Sequence, residues 1–111
     1  MLGDFVEAVG VPAAILSGSR SGMLLVEHVN SLLAVAMGSD QAVRRGQSAE
    51  TLLPRAAVVA LLRGLPEAPI DTRLGPSALP YRAVIRRLPG TQRRRRVLVT
   101  FLAAPDGLAL Q

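Results

Sequence analysis

The chain has 111 residues, half of them apolar, which fits one domain burying about 65% of the surface its unfolded chain would expose and excludes disorder along its whole length. It has no Cys, which removes disulfides, thiolate nucleophiles, cysteinyl-flavin photochemistry and sulfur-ligated metals. Phe5, Tyr81 and Phe101 are its only aromatic residues, and its thirteen basic residues, all Arg, outnumber eight acids for a formal net charge of +5, a balance that permits contact with nucleic acid, anionic lipid or an acidic protein face without choosing among them.

Leu2, Phe5, Val6 and Val9 recur at helical spacing, with Asp4 and Glu7 on the polar side and Gly10 positioned to end the helix. Residues 12–16 read as a short apolar strand, with Pro12 at its start, where a missing N–H is tolerated. Ser- and Gly-rich residues 17–22 form a turn by composition, and residues 23–29 make the second strand of a hairpin. Asn30 follows at once. Its side chain can accept hydrogen bonds from the first turn of an apolar helix over 31–37, and Gly38 can take the left-handed conformation that closes it.

Residues 39–64 read as broken helix. One turn starts at Ser39 and Asp40 and ends at Gly46; Ser48 begins another without the Glu or Gln of a full capping box. Pro54 stops that piece or begins the next helix, which spans 55–63 and which Gly64 closes. Strands are expected over 69–74, 79–88 and 97–103, with residues 89–92 as the turn joining the last two. In the last strand Val97, Val99 and Phe101 share one face, and Leu98, Thr100 and Leu102 the other. Both faces are largely apolar, so a cover is expected on each side, from the core and from the N-terminal helix or a partner.

The order helix, two strands, short helices, three strands predicts an α+β domain, one five-stranded antiparallel sheet with short helices on one face and an N-terminal amphipathic helix. The longest apolar run, 56–62, falls well short of the ~20 residues of a spanning helix and is flanked by Arg55 and Arg63. The N-terminus lacks the features of a signal peptide. A cytoplasmic segment without membrane contact is expected, from a parent protein whose membrane anchor, if it has one, lies elsewhere.

His28, the one side chain that titrates near neutrality, would need an orienting carboxylate and a nucleophile to act as a base. Alternation along a strand turns the adjacent Glu27 to the other face. The acids are scattered without metal-ligand or glycosidase logic, and the Gly residues form no phosphate-cradling loop. No enzyme activity and no metal site are expected of this chain. Arg93, Arg94, Arg95 and Arg96, with Arg86 and Arg87 expected across the hairpin, form a basic patch. It reads either as a solvated hairpin end or as a contact for phosphate, nucleic acid or an acidic protein, and it lacks the interleaved aromatics that stack on bases.

Val29-Asn30-Ser31 with Leu32, Leu33, Met37 and Gly38 resembles the strand, Asn, short helix and Gly at the centre of a PAS sensory domain. Phe5 to Val9 with Val11 to Leu16 is similar to the opening helix and first strand of the sensor-kinase type. Gly46 to Glu50 with Leu53-Pro54, and Val97 to Phe101, resemble later segments of the family. The resemblance covers residues 2–104 and implies a sensory and protein-interaction domain at 1–104, with 105–111 the start of a connector to an output module. The resemblance implies that the parent is a bacterial signalling protein, a histidine kinase of a two-component system.

It implies a homodimer through the seam Leu2, Phe5, Val6 and Val9, a signalling partner or output domain, and a small apolar pocket between sheet and helices. Periodicity selects Leu33, Met37, Val59, Leu62, Tyr81 and Val99 as its lining. No haem is expected, because the helix over 55–63 has no His, and no flavin, because there is neither Cys nor Trp; an unidentified small ligand stays open. Where many family members end the last strand with a coupling triad, this chain has Ala103-Ala104-Pro105-Asp106, and Pro105 would break a helix continuing from the strand. The competing reading is a basic adaptor that binds nucleic acid or an acidic protein through Arg93, Arg94, Arg95 and Arg96.

Overall fold

A computed structural model describes residues 2–18, 22–38, 45–63, 69–75, 78–88 and 96–103, the side chains of residues 2 and 3 excepted. Helix α1 (Leu2–Ala8) precedes strands β1 (Ala13–Gly18) and β2 (Leu24–Val29). Helix α2 (Ser31–Met37), a 3₁₀ turn (Ala49–Thr51) and helix α3 (Arg55–Arg63) follow, and strands β3 (Ile70–Leu74), β4 (Leu79–Arg87) and β5 (Arg96–Ala103) complete the fold. The strands form one open antiparallel sheet in the order β2-β1-β5-β4-β3, so the first and last strands pair at its centre. The fold is α+β, as expected.

Alternation on the central strands divides the apolar residues between two layers. Ala14 and Leu16 of β1 and Val97, Val99 and Phe101 of β5 face the main core, which α2, the 3₁₀ turn and α3 cover with Leu33, Met37, Leu52, Leu53, Val58 and Leu61. Ala13, Ile15 and Leu98 face the other way and pack with Val6 of α1, with Val9 and Leu88 at the margin. The expectation that β5 is covered on both sides holds at Leu98. It stops at Leu102, which is exposed.

Helices α2 and α3 have the expected bounds. Strand β1 starts one residue late and runs on to Gly18, because Ser17 and Gly18 pair with Leu25 and Leu24. Strand β5 starts one residue early, at Arg96, and Leu88, expected in β4, lies just past it, its N–H donating to the Arg96 carbonyl at 3.0 Å. The helical turn expected from Ser39 and Asp40 lies outside the described residues up to residue 44, and only its expected end, at Gly46, is described. Gly46 sits in a turn at φ +92° with its N–H donating to the Val26 carbonyl. The Ser48 hydroxyl accepts from the Glu50 N–H at 3.2 Å and caps the 3₁₀ turn.

Expectations for residues 19–21, 39–40, 64, 89–95 and 104–111 lie outside the described residues. Among the described residues no helix is long and apolar enough to cross a membrane.

Candidate functional site

Strand β2 ends at Val29, and the next side chain, Asn30, is 1% exposed. Its backbone is extended (φ −88°, ψ 169°), the conformation of a residue preceding a helix. Its Oδ1 accepts from the Leu33 N–H at 2.9 Å, which caps α2, and from the Ala13 N–H at 3.0 Å at the start of β1. Its Nδ2 donates to the Val6 carbonyl of α1 at 3.1 Å and to the Val11 carbonyl at 2.8 Å, with Val9 at 3.5 Å. N–H groups meet the oxygen and carbonyls meet the nitrogen, so the network fixes the orientation of the amide.

The expected cap is therefore present, and the same side chain also ties α1 to β1. Beside it the Glu7 carboxylate of α1 accepts from the Ser31 N–H at 3.0 Å and the Ser31 hydroxyl at 3.0 Å, placing a negative charge at the N-terminus of α2. At the other end of α2 Gly38 has the expected positive φ (+86°), but ψ is 149°. This is an extended conformation that other residues avoid, not the left-handed helical one.

A second polar cluster lies on the α1 side of the sheet, where sequence reasoning saw none. Register shifts between Ile15 and Leu16: Ile15 opposes His28 and Leu16 opposes Val26, so Glu27 is the extra residue of a β-bulge. The bulge corrects the alternation argument, because it turns Glu27 and His28 to the same face, with Nε2 and Oε2 3.8 Å apart. Glu27 is 6% exposed, and its Oε1 accepts from Arg96 Nε at 2.9 Å. Burial pushes the Glu27 carboxyl up. The Arg96 hydrogen bond and charge, the Ser17 hydroxyl and His28 together outweigh burial and hold it below the ordinary Glu value.

Arg96 is thereby withdrawn from the expected basic patch. Arg86 and Arg87 are exposed, but Leu98 and Val97 stand across from them, so among the described residues no Arg is paired opposite either. Arg93, Arg94 and Arg95 lie outside the described residues.

Of the expected pocket lining, Leu33, Met37 and Val99 are buried in the main core and Tyr81 packs against it. Val59 and Leu62 are corrections. They are 40% and 38% exposed on the far side of α3, while Ala57, Val58 and Leu61 face the sheet. Phe101, fully buried, is the aromatic at the centre. The expected seam splits as well: Val6 is buried against its own sheet and Val9 is half-buried, whereas Phe5 is 45% exposed. The Leu2 side chain lies outside the described residues.

Among the described residues no group of three or more His, Asp or Glu side chains converges as a metal site. No protein-family model, curated protein or solved structure matches the chain.

Proposed function

We propose that the chain is a PAS-type sensory and interaction domain of a signalling protein, which converts an event on the α2–α3 side of its sheet into a change at α1. The observation that carries this reading is the four-way engagement of Asn30. One buried amide holds α1 from one layer and caps α2 from the other. A receiver needs an element with two arrangements whose balance a ligand or partner shifts. Helix α1 suits that role, being seven residues long and too short to be stable undocked. The element order and the helices over one sheet face agree with the family resemblance. The commitment of Arg96 to Glu27 favours this reading over a basic adaptor.

The apolar side chains left exposed on the α1 side, Phe5 and Leu102, are where a second copy would dock. Sedimentation of the purified chain against its Phe5→Arg variant tests this, with native mass spectrometry to weigh any retained small molecule. Weaker self-association of the variant is the expected result, and association identical to that of the wild type counts against the pairing.

A further inference from the structure

The two edges of the sheet differ. The outer edge of β2 is covered: the Val26 N–H donates to the Gln47 carbonyl at 2.8 Å, the Gly46 N–H donates to the Val26 carbonyl at 2.8 Å, and Leu25 bridges Ser48. Strand β3 ends the sheet on the other side, and among the described residues its backbone pairs with β4 alone. An open edge presents a row of N–H and C=O groups to any strand that fits it.

Its five residues read Ile70-Asp71-Thr72-Arg73-Leu74. Thr72 and Leu74 are buried toward the main core with Ile70 packed beside them, while Asp71 and Arg73 are exposed on the α1 side of the sheet. Read backwards, this segment complements itself about Thr72: Ile70 meets Leu74, Asp71 meets Arg73 and Thr72 meets Thr72. We propose that β3 pairs antiparallel with β3 of a second copy across a two-fold axis at Thr72, which makes one sheet continuous through both chains.

Charge selects this register. Sliding the strands by two residues sets Asp71 against Asp71 or Arg73 against Arg73, and like charges directly opposite destabilise a pair. Sliding by one residue turns every core-facing side chain to the wrong face. In the self-complementary register, Asp71, which already has Arg82 Nε 3.5 Å from its Oδ1, stands between two guanidinium groups, and signs alternate across the junction. A strand of one charge would leave either Asp71 or Arg73 without an opposite; a second copy answers both. The edge is short, so association is weak and concentration-dependent. It is also separate from docking at Phe5, and a chain using both surfaces would assemble beyond a dimer.

The test is a sedimentation concentration series on the intact chain carrying Phe5→Arg, which removes the α1-side contact. Asp71→Arg, Arg73→Asp and the double swap are added to it, with thermal melts to verify folding. Each single reversal sets like charges opposite one another twice per pair and is expected to raise the dissociation constant about tenfold or more. The double swap restores opposite charges across the axis and is expected to recover most of that loss. A Phe5→Arg chain that stays monomeric throughout, single reversals that associate as tightly as their parent, or a double swap no tighter than the singles would each overturn the proposal.

Discussion

Replacing Asn30 separates two roles that a single side chain plays. Asn30→Ala deletes the acceptor of the Ala13 and Leu33 N–H groups and the donor to the Val6 and Val11 carbonyls. Loss of a helix cap alone costs about 1 kcal/mol. Each buried group left without a partner costs roughly 1–3 kcal/mol more, discounted here because the loosened end of α1 lets water reach some of them. The expected total is about 3–4 kcal/mol, a large fraction of the roughly 6–16 kcal/mol available to a domain of this length. Asn30→Ser keeps an N-cap acceptor for α2 but cannot reach α1, and is expected to cost at least about 2 kcal/mol. Urea unfolding followed by circular dichroism measures both. If Asn30→Ser lies within about 0.5 kcal/mol of the wild type, Asn30 is a cap and nothing more, and the joint between the two layers is refuted.

The Glu27–Arg96 pair gives the protein a pH response of known sign. The folded carboxyl is held below its ordinary value of 4.5, so its contribution is present above that pH and is lost as pH falls through the lower folded value, which an acid-unfolding series will register. In Arg96→Gln the buried carboxylate loses its cation at a cost of about 2–4 kcal/mol at pH 7. That penalty should shrink as acid protonates Glu27, and a pH-independent penalty would contradict the assignment. Gly75, in the turn after β3, has φ +80°, and a Cβ there would overlap the Ala36 carbonyl oxygen of α2. Gly75→Ala is expected to cost about 2–3 kcal/mol, read as a fall in Tm on the order of 10 °C.

What could be read from the sequence was local. The bounds of α2 follow from Asn30 and Gly38 at its ends, and those of α3 from Pro54 before it and Gly64 after it in the sequence, because caps and breakers act within one turn. The two apolar faces of β5 followed from alternation. The phase of α3 did not, because residues 56–62 are all apolar and periodicity has no polar side to define a face; Val59 and Leu62 were misassigned for that reason. The bulge at Glu27 carries no Gly or other marker, so strict alternation sent Glu27 and His28 to opposite faces. Its partner Arg96 lies 69 residues away and is found only once β1 and β5 are adjacent. Asn30 was legible as a cap, an interaction with a residue three positions on, but its bonds to Val6 and Val11 depend on α1 docking.

Native-state amide exchange on the intact chain, with and without Leu33→Ala, tests the coupling between the two layers most directly. The Ala13 and Leu33 amides share Asn30 Oδ1, and Leu33 is buried in the core on the α2 side. The account predicts that these amides and those of α1 open together as one unit below the global unfolding free energy, and that Leu33→Ala lowers the opening free energy of all of them in step. An α1 whose amides keep their wild-type protection while those of α2 lose theirs would contradict it.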